Sequence, residues 1–207
     1  MKRHIFAAAA AATILLTITG CGSDDTATGT EQQVIDTTTA PQQVQWENWQ
    51  GVPLPVSASD GPSTIDGDVA RGYSATPQGA VLAAVQGITR LRLAPDSSWP
   101  QVANTVAAPG EGRDTYAVNR AMITITGPAP TGTEASITGF RVVDYTPEQA
   151  VVELARKRAD TTVVATTHTL VWAGDDWKLV LPGPDSEAPA AASLANLDGF
   201  TEFEAAR

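Results

Sequence analysis

The last third of the chain constrains the fold most. Ile137 to Tyr145 reads ITGFRVVDY and Thr161 to Trp172 reads TTVVATTHTLVW; both runs are β-branched and aromatic. Gly174-Asp175-Asp176 then turns into Trp177 to Leu181, WKLVL. Such residues suit a pleated, half-buried surface, and a short polar turn between two of the runs predicts a hairpin. Between the first two runs, Thr146-Pro147-Glu148-Gln149 has the composition of a helix start. However, Val151, Glu153, Ala155 and Lys157 alternate with Val152, Leu154 and Arg156, which favours a turn followed by a strand. Four antiparallel strands are expected at this end.

Upstream, Thr76 suits a helix N-cap and Pro77 the first helical position, and Val81, Ala84, Val85, Ile88 and Leu91 recur at helical spacing. Arg90 and Arg92 near its end complement the helix dipole. A second, short helix is expected from Ser98 and Pro100 to about Ala107, closed by Pro109-Gly110-Glu111-Gly112. Whether residues 114–122 form another helical piece is left open. Gln50 to Tyr73 is dense in Pro and Gly and reads as irregular, pinned to the domain by Val52, Leu54, Trp46 and Trp49. The expected fold class is α+β, with N-terminal helices packed on a curved four-stranded antiparallel sheet.

The N-terminus carries a different signal. Met1-Lys2-Arg3-His4 is followed by 14 uncharged, mostly apolar residues, Ile5 to Ile18. That run is short of the ~20 residues a spanning helix needs and fits an export signal. Cys21 is the only cysteine, so no intramolecular disulfide can form and the core must hold the fold. Ile18-Thr19-Gly20-Cys21 resembles the bacterial lipobox, which implies that the Cys21 thiol receives diacylglycerol before cleavage. The alternatives are an ordinary secretory peptide with an incidental cysteine, or an uncleaved anchor. The expected organisation is a lipoprotein signal peptide over 1–20, a flexible stalk over 21–45, a single domain over 46–182 and a tail over 183–207. A Thr-, Gln- and Asp-rich stalk of this length spans ~25–30 Å as a random coil. Two or more acyl chains anchor durably, which places the domain on the outer face of the cell membrane.

Charge and residue supply narrow the function. The chain holds 13 basic and 23 acidic residues, a net −10. Such a surface repels phosphate backbones, so nucleic acid is not an expected partner. With His4 in the leader, His168 is the sole histidine beyond it, mid-strand and in phase with Val164, Thr166, Leu170 and Trp172; it reads as a structural, hydrogen-bonded residue. Neither a His/Cys zinc site nor a Cys/His dyad can be assembled. Ser74 lacks the closing glycine of a nucleophile elbow. Asp66-Gly67-Asp68 and Asp175-Asp176 are too short for a calcium loop. No catalytic, cofactor-binding or metal residue is therefore expected. Trp172 and Trp177 flank the hairpin turn and should pack on the core, whereas Trp46, Trp49 and Trp99 are candidates for a partner surface. In the tail, Leu194, Leu197, Phe200 and Phe203 recur every third residue, consistent with a short segment docked on the domain.

A long helix, a short helix and a curved sheet closing in VWAGDDWKLVLP together resemble the cystatin-like, nuclear-transport-factor-2-like roll. The N-terminal part resembles a domain of actinobacterial proteins encoded with conjugative elements. That likeness rests on Trp46, Gly51, Pro53, Pro55, Asp60-Gly61-Pro62, Gly72-Tyr73, Thr76-Pro77, Gly79-Ala80 and Ala83-Ala84. By analogy the resemblance implies a membrane-anchored extracytoplasmic lipoprotein acting as a non-catalytic assembly or interaction module in conjugative transfer or secretion. Its partners would be the membrane, through the anchor, and envelope proteins. The alternative is a ligand-binding or proton-transfer enzyme using the cone between sheet and helix. What lines that cone separates the two: Val143, Leu154, Val164 and Leu170 would fill it, whereas a buried carboxylate facing an open cavity would favour the alternative. Asp144 and Tyr145 are adjacent in a strand and so face opposite ways unless a bulge intervenes.

Overall fold

Thr76 and Pro77 begin the element around which the domain packs. In the computed structural model, which describes residues 35–186 and 190–206, the Thr76 hydroxyl accepts the Gly79 amide at 3.1 Å and helix α1 runs from Pro77 to Leu93. Residues 80 to 85 are all buried, at 4% exposure or less. A helix apolar on every side has to be enclosed, and α1 is: it touches the large sheet on one flank and two N-terminal hairpins on the other.

Those hairpins correct the expectation of N-terminal helices. Strand β1 (Val44–Trp49) pairs antiparallel with β2 (Val52–Ser57), and β3 (Thr64–Asp66) with β4 (Val69–Arg71). Half of the segment expected to be irregular is thus strand. Prolines at 53 and 55 concealed this, since proline cannot donate to a ladder. Two residues apart, both turn their missing N–H away from β1; the Pro55 carbonyl, on that same outer side, accepts the Gln86 side-chain amide at 2.8 Å. Helices α2 (Trp99–Val106) and α3 (Glu111–Arg120) follow α1, so the three helices among the described residues lie mid-chain. Ser98 holds the N-cap position of α2, but its hydroxyl donates to Asp68 at 2.6 Å instead of capping a helix amide.

The sheet has six strands rather than four. Strands β5 (Ser136–Tyr145), β6 (Gln149–Lys157), β7 (Val163–Trp172) and β8 (Trp177–Val180) form the expected antiparallel meander. The extra two come from the tail, β9 (Ala192–Leu194) pairing with β7 and β10 (Thr201–Glu202) pairing with β5. Strand β5 is bulged between Ile137 and Gly139 and again between Val142 and Asp144. Bulges bend a strand and sharpen its twist; the first leaves the Thr138 carbonyl free to accept the Phe203 amide at 3.0 Å. Gly174 and Asp175 both have positive φ, at 62° and 61°, the backbone that a two-residue hairpin loop matched to the sheet twist demands.

The C-terminal hairpin is locked to the other half of the chain. Asp176, 6% exposed, accepts the Gly72 and Tyr73 amides at 3.0 Å each, and the Trp177 indole donates to the Ser74 carbonyl at 2.9 Å. Residues 36–45, inside the span expected as stalk, also touch the body: Gln78 donates to the Asp36 and Thr39 carbonyls and Thr201 to the Thr38 carbonyl. Cys21 and the expected signal peptide lie outside the described residues.

Candidate functional site

The space between α1 and the sheet is solid. Leu82, Phe140, Val152, Leu154, Leu170 and Leu179 are each 2% exposed or less and form one cluster. Of the residues expected to fill it, Leu154, Val164 and Leu170 are buried, whereas Val143, displaced by the second bulge, is 54% exposed. Asp144 is exposed, and the Tyr145 hydroxyl donates to the Ala75 carbonyl at 2.9 Å. The two therefore do not share a cavity.

The three tryptophans expected as a partner surface are half-buried and separately engaged. Trp46 packs against Phe203 with ring centroids 5.2 Å apart. Trp49 lies under the Arg90 guanidinium at 4.7 Å and donates to Asp68 at 3.0 Å. Trp99 meets Tyr116 edge-on at 6.2 Å and carries Arg120 at 5.7 Å. Asp68 joins the last two regions, because its other oxygen takes the Ser98 hydroxyl. Tryptophan at such positions binds hairpins to helices. His168 is half-buried, with its Nε2 2.8 Å from the Thr166 hydroxyl; burial, reinforced by Arg156, lowers its pKa to about 4.

The accessible concave surface lies beyond the C-terminal end of α1. An apolar groove of about 380 Å³ runs between Leu91, Tyr116, Ile123, Ile125, Leu181 and Pro182. Ile123, in the lining, is 55% exposed, and two more large apolar side chains stand exposed on and just after α3, Val118 at 67% and Met122 at 75%. The groove's shape is held by polar clamps. Arg120, 4% exposed, donates to the Ala94 and Ile123 carbonyls at 2.7 Å and to Asp96 at 2.9 Å. Asp96 also accepts the Ile125 amide at 3.0 Å; that bond and Arg120 hold its carboxyl below the usual carboxylate range. Gly112 lets α3 approach the chain just beyond β8 closely, since a Cβ there would collide with the Leu181 carbonyl oxygen.

Arg92 lines this groove and also a second, polar cleft of about 350 Å³ that contains Arg156 and Arg158. Sequence reasoning missed both. Val118 and Met122 are four apart on a segment whose helical state was left open, and Arg156-Lys157-Arg158 is a basic run in an acidic chain that could have been singled out. Among the described residues, no cluster of three His, Cys, Asp or Glu side chains could hold a metal ion. No described helix is long and apolar enough to cross a membrane.

No curated protein and no solved structure matches the chain. A family model described as a domain of unknown function, DUF8175, matches residues 7–202.

Proposed function

The chain belongs to the DUF8175 family, a domain of unknown function, and from that premise we propose that it is a lipid-tethered extracytoplasmic module that binds other proteins and performs no chemistry itself. One observation carries this reading: apolar side chains fill the interior between α1 and the sheet, while further apolar side chains stand outside it, along α3 and the groove. An apolar groove with exposed apolar side chains on the helix beside it, on an acidic, otherwise well-packed body, is suited to recognition of a protein surface. The finer reading is that Cys21 carries the lipid, that the body stands on the outer face of the cell membrane, and that its partners are envelope components of a conjugative or secretion apparatus.

Two measurements in the producing bacterium test it. A photo-crosslinking amino acid at Met122 should recover the same envelope proteins repeatedly, and one at the exposed Glu148, on the turn between β5 and β6, should not. Equal recovery at both positions, or none at Met122, overturns the recognition role. Cys21→Ser should release the protein from the membrane fraction; retention there overturns the tether. If the apparatus is conjugative, deleting the gene lowers transfer frequency.

A further inference from the structure

The polar cleft concentrates one sign of charge on a chain that carries the other. Arg156 and Arg158 are two apart in and just beyond β6, which directs them to one face, and Arg92 approaches from the last turn of α1. The stem of Arg156 covers the rim of the core beside Leu54, Ile88 and Leu154. Its buried Nε has no hydrogen-bond partner, and its terminal nitrogen reaches only the Thr166 hydroxyl, at 3.5 Å. Neither Arg156 nor Arg158 makes an ion pair among the described residues.

Two carboxylates are nearby. Glu134 pairs with Arg92 at 2.9 Å, and Asp160, in the lining of the cleft, accepts the Thr162 amide and hydroxyl on Oδ1 at 3.0 and 2.6 Å. Burial first, then repulsion from Arg92 and Arg158, lowers the basicity of Arg156, with Glu134 opposing. Gathering like charges in a partly desolvated cleft raises their energy unless a counter-charge arrives.

We propose that this cleft is a binding site for a phosphate-type oxyanion, held by Arg92, Arg156 and Arg158, with Glu134 as the internal counter-ion that the ligand displaces from Arg92. Guanidinium forks match phosphate oxygens two at a time. A tetrahedral group has oxygens for forks arriving from a helix and from a strand end, whereas a planar carboxylate presents its two oxygens in one plane, a better match to a single fork. The Thr133 and Thr166 hydroxyls also line the cleft but are engaged, with the Pro130 carbonyl and His168 Nε2, so the arginines are its donors. The same phosphate chemistry is carried by soluble phosphates and by anionic phospholipid headgroups.

The test uses the full-length protein in neutral detergent at low ionic strength, following the arginine Nε–Hε resonances. Titration with inorganic phosphate should shift the Arg156 signal saturably. Arg158→Gln, at an exposed position, should weaken binding about tenfold, and Glu134→Gln should tighten it about threefold by freeing Arg92. These opposite signs distinguish a binding site from a side chain that only covers the core. A parallel titration with short-chain phosphatidylglycerol separates the sources: a shift with that lipid alone makes the headgroup the ligand and the site stands. Absence of a saturable shift with either probe overturns the proposal, and so does a pair of variants that change affinity in the same direction.

Discussion

Arg90 and Arg156 are both partly withdrawn from water, and their surroundings are opposite. Arg90 is 2% exposed; its Nε donates to Gln86 at 2.9 Å and a terminal nitrogen to the Asp68 carbonyl at 2.8 Å, over the Trp49 ring. Burial lowers its basicity, and Asp68 and Glu47 push it back up. Gln86, itself buried, passes the connection on to the Pro55 carbonyl. The charge is thus a strut: Gln86 and Arg90, one turn apart on α1, reach both hairpins through it. Arg156 has an unpartnered Nε and two arginines as neighbours. The lesson is that burial alone does not tell a structural arginine from a binding one; what its terminal nitrogens hold and the sign of its neighbours do.

The sharpest way to break this comparison is to truncate the strut. Arg90→Met leaves the Gln86 and Asp68 oxygens buried without donors, and should cost about 2–4 kcal/mol of stability by chemical denaturation. A loss below about 1 kcal/mol would mean that Arg90 is not the tie described. Acid sharpens the Arg156 side, through the His168 ring that it depresses. Because the folded pKa of about 4 lies below the ordinary 6.5, the unfolded chain binds the extra proton first. His168 therefore erodes stability as pH falls from 6.5 to 4, by at most about 3 kcal/mol, and adds no dependence above that window. Subtracting the pH profile of His168→Gln from that of the wild type should isolate this slope; identical profiles would contradict the burial of the ring. The smallest effect is expected at Arg156→Met. Its apolar stem is conserved in volume and its Nε has no bond to lose, so stability should stay within about 1 kcal/mol while phosphate binding disappears.

The meander of β5 to β8 was readable because its signals are local: alternation, β-branching, and a Gly-Asp turn. Helix α1 was readable from its cap and spacing. The hairpins on either side of Asp60 were not, because Pro53 and Pro55 argue against a strand until one knows which edge they face. The tail strands were hidden for another reason. Two- and three-residue pairings carry no periodicity of their own; β9 and β10 exist because β7 and β5 offer free edges. At the candidate surfaces, the tryptophans drew attention as large exposed-looking groups but are used internally. The groove and the arginine cleft are assembled from α1, α3 and strand ends far apart in sequence, and only the basic run at Arg156-Lys157-Arg158 hinted at either.

The bonds from Asp176 to Gly72 and Tyr73, and the packing of Phe203 on Trp46, make the earliest and latest parts of the domain depend on each other. A chain emerging N-terminus first therefore has no finished interior until its final residues are free. Contacts of such sequence separation are closed late and slowly. Folding of this domain is then a single event that waits until Phe203 is available.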